Sequence, residues 1–509
     1  MAPRGESTRE GRAAAAVPAA VPAALALAVG WWGIDRQGSM WRDESVTYQV
    51  AHRTLADTWH LLGHIDAVHG LYYLILHGVF AVWDGGGLPA LRLPSVLGTA
   101  VAAAGVGTIG ARLAGNRCGV LAGTCYVLLP VTQQYAQEGR SYALVTAAVT
   151  WATYVFVRTA CTTRARERTG QAAGATRARG WAAYAALLTL ACWLHEFAVL
   201  ALTAHALTLW RLRVPRRVRR GWAGAAAVVL AALLPLAVVS ARQADRQLGW
   251  LGRPGPALWL QYAAVAGVCA LLARWLLAAP GPADAQADRR TLVRLGLWLA
   301  VAPAGVLMTA SLVKPWYVDR YVIYGMTGAA LLAGLALDRA ITRCARLTAG
   351  VRALVAGLAL AAAMAVLVPW SLAVRSPESR KDDVVAVARA VRHVARPGDA
   401  VLFLPARRRE WLLSRPALYG RLDDLALDRS PAASGTLQGT ELPPEAIRRR
   451  LLAADRVVAL SDPPGQPFDP FPREKVKREV LRRHFVLCAR TRVHGAQVTV
   501  YARAGHCTR

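Results

Sequence analysis

Lysine is almost missing from this sequence, because only four of its 61 basic residues are lysines. A formal net charge of +30 would by itself suggest a nucleic-acid-binding protein. However, an arginine- and alanine-rich composition with so little lysine is typical of GC-rich coding, so mutational bias accounts for part of the charge. We therefore expect no nucleic-acid partner, and the positions of the arginines are more informative than their number.

Closely spaced pairs of cysteines are also absent. The eight cysteines are scattered and contain no Cys-x-x-Cys pair, which argues against a zinc ribbon or a disulfide scaffold. Intrinsic disorder is excluded, because 55% of the residues are hydrophobic. An ordinary soluble enzyme is disfavoured too, since the apolar residues are gathered into long blocks.

Eleven apolar blocks precede Ser376, and each approaches the ~20 residues that a helix needs to cross a bilayer. No secretory cleavage pattern follows the first block, where Trp31 and Trp32 occupy positions that would need small residues. The first block is therefore predicted to remain as an anchor. The predicted spans are 14–33, 91–111, 117–133, 140–158, 181–194, 196–212, 222–240, 257–278, 294–313, 321–338 and 353–374.

Arginine clusters lie between alternate spans and set the predicted orientation. Placing all of them in the cytoplasm, together with Arg4, Arg9 and Arg12, satisfies the positive-inside rule. The loops around 34–90 and His195, and everything after Trp370, then face outward. The cytoplasmic clusters are 112–117, 158–179, 211–220, 289–294 and 339–352, and the other outer loops are 134–139, 241–256 and 314–320.

The apolar block 70–83 tests this orientation. It is only fourteen residues long and contains a histidine, and a span there would move the arginine-rich stretches 158–179 and 211–220 outside. We therefore predict a juxtamembrane helix along the outer face. The sequence predicts a multi-pass plasma-membrane protein of about eleven spans, with its N-terminus in the cytoplasm.

The composition changes after Ser376. DDVVAVARAVRHVA has helical periodicity, DAVLFLP and RVVALS are typical of buried strands, and FVLCART–VHG–AQVTVYAR indicates a hairpin. A small extracytoplasmic α/β domain is therefore predicted over 376–509. It contains Cys488 and Cys507, for which a disulfide and two free thiols remain open alternatives. The remaining domains are a cytoplasmic tail over 1–13 and a membrane domain over 14–375, with its outer loop at 34–90.

The densest polar group on the outer side begins with Trp41, Arg42, Asp43 and Glu44. His64, Asp66 and His69 follow within the same loop. One interpretation is structural: Asp43 caps a helix that starts at Glu44. The other is functional, because adjacent carboxylates and imidazoles gather at one membrane edge. We favour the functional interpretation.

Five stretches together resemble the GT-C membrane glycosyltransferases of the family 39 type, a group that includes protein O-mannosyltransferases and the aminoarabinose transferase of lipid A. The resemblance covers about residues 15–375 and implies a polytopic helical membrane fold with outer juxtamembrane helices. The matching stretches are WRDESVTYQVAHR, HIDAVHGLYYLILHGVF, ALRLPSVLG, YAQEGRSYAL and KPWYVDRYVIYG.

The resemblance implies transfer of a sugar, with mannose as the leading expectation, from a polyprenyl phosphate to an acceptor hydroxyl outside. Asp43 matches the family's catalytic base, and Glu44 would orient the acceptor or that carboxylate. Arg140 and Arg320, with Arg92 as a further candidate, would bind the donor phosphate through their planar forks of donors. Interfacial snorkelling is the structural alternative for each arginine.

Six further residues of the predicted outer loops are candidates for binding the substrate. They are His69, Tyr72, Tyr73, Glu138, Tyr142 and His195. The chain departs from the family pattern after His69, where Gly70 and Leu71 replace two prolines. An interfacial pair of His195 with Glu196 is the structural alternative for His195.

We expect no obligatory metal, because Asp43, Glu44 and Glu138 form no Asp-x-Asp motif. A divalent cation bound by these carboxylates is the alternative.

The expected partners are a polyprenyl-phosphate sugar, the lipid bilayer and a glycan, lipoglycan or protein acceptor. A transporter or lipid flippase is the alternative function, although the sequence has no internal repeat. A membrane sensor with a ligand-binding C-terminal domain is a third.

Overall fold

A computed structural model of the chain describes residues 6–168, 174–249, 251–278 and 283–507. Residues 1–5, with Arg4, lie outside the described residues, as do the side chains of Arg9 and Arg12 and most of the predicted cluster 158–179. Their predicted cytoplasmic location therefore stays a prediction.

Fifteen α-helices account for most of the described chain up to residue 373. Short 3-10 segments, Ala67–His69, Glu196–Leu200 and Asp319–Gly325, connect some of them. The helices are α1 (Glu6–Trp31), α2 (Arg42–Ala51), α3 (Leu55–Leu62), α4 (Gly70–Val82), α5 (Gly87–Ala114), α6 (Asn116–Leu128), α7 (Pro130–Ala136), α8 (Tyr142–Arg168), α9 (Gly174–Leu194), α10 (Ala201–Arg211), α11 (Arg216–Leu248), α12 (Pro256–Leu277), α13 (Ala283–Ala310), α14 (Met326–Cys344) and α15 (Ala349–Ala373).

Seven helices of the described residues are long and apolar enough to cross a membrane. The other four predicted spans coincide with α1, with α6 and α7, with α9, and with α10, and the total of eleven stays a prediction. The block 70–83 is helical as α4, and its juxtamembrane location also stays a prediction. The seven are 87–114, 142–160, 216–245, 256–277, 286–310, 319–344 and 349–373.

The chain forms two compact units. The first consists of Met1–Trp32 and Arg92–Leu372, and the second of Gly33–Leu91 and Ala373–Arg509. We call them the helical unit and the outer unit, the latter because both of its segments are predicted to face outward. The predicted outer loop 34–90 therefore shares a unit with the C-terminal segment.

Small residues allow helices of the helical unit to pack closely. A Cβ atom on Gly107 of α5 would overlap the carbonyl oxygen of Pro18 in α1, and one on Gly119 of α6 would overlap that of Gly107. Close backbone approach at small residues is the usual way in which helices associate in membranes. The small glycine side chains thus allow the backbones of these helices to approach each other closely.

The C-terminal segment contains six further α-helices and seven strands, with 3-10 turns at Pro377–Ser379 and Ala406–Arg409. The helices are α16 (Val384–Val394), α17 (Glu410–Leu413), α18 (Pro416–Tyr419), α19 (Pro431–Ser434), α20 (Pro444–Ala453) and α21 (Pro472–His484). The strands are β1 (Ala400–Leu404), β2 (Asp423–Asp424), β3 (Leu427–Arg429), β4 (Thr440–Glu441), β5 (Arg456–Ser461), β6 (Val486–Val493) and β7 (Ala496–Ala502).

Five of these strands form one mixed sheet in the order β2-β1-β5-β7-β6. β1 is parallel to β2 and to β5, whereas β7 is antiparallel to β5 and forms a hairpin with β6. Val401 and Phe403 pack against α16 and α17 on one face, and Ala400 and Leu402 pack against α20 and α21 on the other. The continuous apolar runs reflect this burial of both faces. The predicted small α/β domain and hairpin are confirmed.

A disulfide joins Cys488 and Cys507, whose Cα atoms are 5.4 Å apart. Cys488 lies on β6, and Cys507 follows β7 after a turn in which His506 N donates to Arg503 O over 3.0 Å. The turn returns the chain to β6, which sequence spacing alone did not show.

Candidate active site

Asp43 lies in the first turn of α2 and does not cap it. The helix begins at Arg42, and Trp41 occupies the N-cap position without a side-chain hydrogen bond. The Asp43 side chain is 19% exposed, and its Oδ1 lies 3.6 Å from Arg42 Nε. Because the helix starts one residue earlier than Asp43, the capping interpretation does not describe this residue.

Glu44 forms a fully buried ion pair with Arg36. Arg36 Nη1 lies 3.4 Å from Glu44 Oε2, Nη2 lies 3.5 Å from Oε1, and neither side chain is exposed. Arg36 and Gln37 both have left-handed backbone conformations, with φ of 50° and 56°, in the turn that brings the guanidinium back to α2. Arg36 is a residue that sequence reasoning missed.

The segment before Asp43 is hydrogen-bonded to the start of α16, about 340 residues later. Arg42 N donates to Asp382 Oδ1 over 2.7 Å, and Val384 N donates to Met40 O over 2.7 Å. Asp383 also caps α16, because Oδ1 accepts from Val385 N at 2.9 Å. Both elements belong to the outer unit, so this segment fixes the N-terminus of the helix that carries Asp43.

Two acidic residues near Asp43 were also missed. Burial raises the pKa of Asp382 to about 6, and the Asp43 carboxylate adds to that shift, while Arg42 opposes it. Burial likewise raises the pKa of Glu410 to about 7, with Asp66 and Asp43 contributing. Glu410 O also accepts a hydrogen bond from Ser45 Oγ at 3.1 Å. The outer unit thus gathers three carboxylates, those of Asp43, Asp382 and Glu410, around Arg42.

His69, Tyr72 and Tyr73 are buried at the start of α4. The Tyr73 hydroxyl donates to Asp66 Oδ2, and Asp66 has a left-handed backbone with φ of 68°. The Tyr73 ring packs in a small apolar core between α2, α3 and α4, so it holds the helix of Asp43 in place. A substrate-binding role for these three residues stays a prediction.

In the helical unit, Tyr142, His195 and Arg320 lie together. Arg320 Nε donates to the Tyr142 hydroxyl over 3.0 Å, and the rings of Tyr142 and His195 are 5.7 Å apart. Tyr321, which sequence reasoning missed, packs against His195 with the ring centroids 4.5 Å apart and the ring planes tilted by 42°. The DRY sequence at 319–321 therefore contributes both a cation, Arg320, and an aromatic ring, Tyr321, to this cluster.

The environment of His195 shows that Arg140 belongs to the same cluster. Burial lowers the pKa of His195, and the positive charges of Arg140 and Arg320 lower it further. Burial and the two guanidinium groups therefore both favour the neutral form of the His195 imidazole. Two arginines and a neutral hydrogen-bonding ring suit a phosphate group, because the arginines supply charge and planar donors.

The loop that carries Arg140 is held to α5. Ser95 Oγ lies 2.6 Å from Glu138 O and 3.0 Å from Arg140 O, and all three residues are buried. Arg92 lies three residues before Ser95 in α5 and is completely buried. The ArgLeuProSer motif thus supports the backbone of the Arg140 loop through its serine, which the motif match alone did not reveal.

The structure brings Arg140, Tyr142, His195 and Arg320 together in the helical unit, and Asp43 and Glu44 share one turn of α2 in the outer unit. Across the described ranges, no group of three or more His, Cys, Asp or Glu side chains is arranged to bind a metal ion.

Comparison with solved structures identifies the fold. No protein-family model and no curated protein match the chain. The apo structure of ArnT from Cupriavidus metallidurans is similar, with a TM-score of 0.59 and 14% identity over 94% of this chain and 96% of that chain. ArnT bound to undecaprenyl phosphate gives a TM-score of 0.60 and 13% identity over 96% and 98%. The chain therefore has the fold of ArnT, which confirms the predicted resemblance at the level of the fold.

Proposed function

We propose that this protein is a membrane glycosyltransferase that transfers a sugar, with mannose as the first candidate, from a polyprenyl phosphate to an acceptor hydroxyl on the outer face. The observation that carries the proposal is the Arg140–His195–Arg320 cluster in a chain of GT-C fold. ArnT, which has this fold, binds undecaprenyl phosphate. A polyprenyl phosphate supplies the anion that the two arginines suit.

The proposed step is a single inverting displacement. The acceptor oxygen attacks the anomeric carbon as the bond from that carbon to the phosphate oxygen breaks. The acceptor proton passes to Asp43, and the polyprenyl phosphate leaves with its charge stabilised by Arg140 and Arg320. The step needs no redox partner.

The central test is the variant Asp43→Asn in purified full-length protein. The amide keeps the shape of the side chain but takes no proton, so we expect transfer to fall by ~10²–10⁴-fold with donor affinity almost unchanged. Asp84→Asn is the matched control, because Asp84 is an exposed carboxylate of the same unit. Equal transfer by Asp43→Asn would refute the base assignment, and loss of donor affinity would assign Asp43 to binding.

A panel of labelled polyprenyl-phosphate sugars tests the reaction class and the sugar. Wild-type membranes should form a new glycoside fastest from the mannosyl donor. Movement of the labelled lipid across the membrane without a new glycoside would identify a flippase and overturn the proposal. Faster transfer from another sugar would replace mannose but leave the reaction class intact.

A further inference from the structure

The C-terminal sheet carries a cavity that the proposed reaction does not use. It has a volume of about 490 Å³ and opens where the carboxyl ends of β1 and β5 meet, between Leu404-Pro405 and Ser461-Asp462. The chain leaves β1 towards β2 on one side and leaves β5 towards β6 on the other. Ligands of open α/β sheets bind at such a switch point.

One wall of the cavity is a proline-rich loop that is fixed at both ends. Asp462 N donates to Leu404 O over 3.1 Å, and Asp462 O accepts from Gln497 Nε2 at 3.0 Å. At the far end, Asp469 Oδ2 accepts from Arg407 Nη1 at 2.8 Å. Five prolines between 463 and 472 stiffen this stretch. A preorganised wall lowers the entropy cost of binding a ligand.

The opposite wall is α21, which is anchored to the end of β1. The buried Lys477 donates to Phe403 O over 3.0 Å and to Glu474 Oε1 over 2.9 Å. Glu474 Oε1 in turn accepts from Ala406 N at 3.0 Å. This network fixes the helix that directs Arg478 and Arg482 to the cavity.

Positive charge dominates the cavity lining. Arg478, Arg482 and Arg490 contribute three cations, while Asp462 and Asp469 are both ion-paired to Arg407. Within the described part of the chain, neither Arg482 nor Arg490 forms an ion pair, and both are exposed. The lining therefore has uncompensated guanidinium groups, which suit a carboxylate or a phosphate.

Aromatic and amide groups complete the lining. The Phe468 ring is 79% exposed, and the Arg478 guanidinium lies 4.8 Å from its centroid. Tyr501 adds a second ring. Gln497 Oε1 is buried and accepts no hydrogen bond from the described residues. Ring faces combined with a few placed polar groups are typical of small-molecule sites.

We propose that this cavity binds an anionic saccharide, a sugar ring that carries a carboxylate or a phosphate. The arginines bind the anion, and the sugar ring packs on Phe468. The site lies entirely in the outer unit, and the proposal does not depend on the glycosyltransferase reaction.

Binding of trigalacturonate and of mannose 6-phosphate to full-length protein in detergent tests this inference by calorimetry. At least one of the two should bind, and which one binds identifies the carboxylate or the phosphate form. The double variant Arg482→Gln with Arg490→Gln should weaken that binding tenfold or more. Arg492→Gln is the matched control, since Arg492 is exposed on β6 but does not line the cavity. Phe468→Ala, an exposed position, checks the ring contact without disturbing the fold.

Three results would overturn the proposal: no binding of either probe, unchanged affinity in the double arginine variant, or equal binding of the neutral trisaccharide maltotriose. Binding to vesicles of anionic lipid without binding of a saccharide would also overturn it and assign Phe468 to a membrane surface. Unchanged thermal unfolding of each variant shows that the affinity change is local.

Discussion

The buried pair of Arg36 and Glu44 predicts that Glu44→Gln destabilises the outer unit. The family resemblance implies an orienting role for Glu44, whereas the structure shows its carboxylate fully buried and paired with a guanidinium group. The amide keeps the volume of the side chain but removes its charge. Arg36 then loses a buried counter-charge, and a buried charge without compensation is costly.

The magnitude follows from the burial of both partners. Removing one partner of a buried ion pair costs about 3–5 kcal/mol, and the hydrogen-bonding amide should keep the loss near the lower end. For a unit of roughly 200 residues, 1 kcal/mol corresponds to about 2–4 °C of thermal midpoint. We therefore expect a decrease of about 6–12 °C for Glu44→Gln.

Thermal unfolding of purified protein, followed by intrinsic fluorescence, measures this shift. Asp84→Asn provides the control for a carboxylate-to-amide change at an exposed site and should change the midpoint little. The double variant Arg36→Gln with Glu44→Gln removes both charges and should recover much of the loss. This recovery is the coupling that a double-mutant cycle isolates.

The transfer rate at low temperature separates the structural role of Glu44 from an orienting one. If Glu44 acts by holding Arg36, folded Glu44→Gln should transfer sugar within a few-fold of wild type. An unchanged thermal midpoint together with a large loss of turnover would refute the structural account. The double variant would then fail to restore activity.

Three further predictions concern single residues. Arg140→Lys keeps the charge but loses the planar fork, so sugar transfer in a labelled-donor assay should fall by a factor of tens or more. Tyr142→Phe removes the hydrogen bond from Arg320 and should cost about 1 kcal/mol, seen as a change of several-fold in kcat/KM. Because burial raises the pKa of Glu410 from 4.5 to about 7, the unfolded chain releases this proton at lower pH than the folded one, and stability should fall as pH rises through that window. Glu410→Gln should reduce the difference in thermal midpoint between pH 5 and pH 8, and an unchanged difference would contradict the shift.

The fold was predictable from the sequence because its signals are local. Apolar blocks of span length, arginine clusters between alternate blocks and the short apolar strand segments after Ser376 are each recognisable within about twenty residues. The disulfide between Cys488 and Cys507 was not decided, because it depends on a turn after β7 that has no distinct sequence signal.

The candidate site was only partly predictable. Arg140, Tyr142 and Arg320 were found because the family resemblance marked their motifs, and His195 was found because it lies between two predicted spans at the outer face. Asp382 was missed because its hydrogen bond with Arg42 N joins positions about 340 residues apart. A periodic sequence pattern indicates local structure and does not predict a contact over such a distance. The periodicity of DDVVAVARAVRHVA predicted the helix that Asp383 caps, but it gave no information on the contact that Asp382 makes.

The hydrogen bonds between Met40–Arg42 and Asp382–Val384 have a consequence for biosynthesis. The strands and helices of the outer unit include residues beyond 373, so the segment around Asp43 emerges from the ribosome long before its partners exist. Contacts of such high sequence separation form late in folding. A nascent chain stopped before residue 373 should therefore expose the Asp43 segment to protease, even after every preceding helix has inserted. The protein would gain its proposed base only when translation is nearly complete.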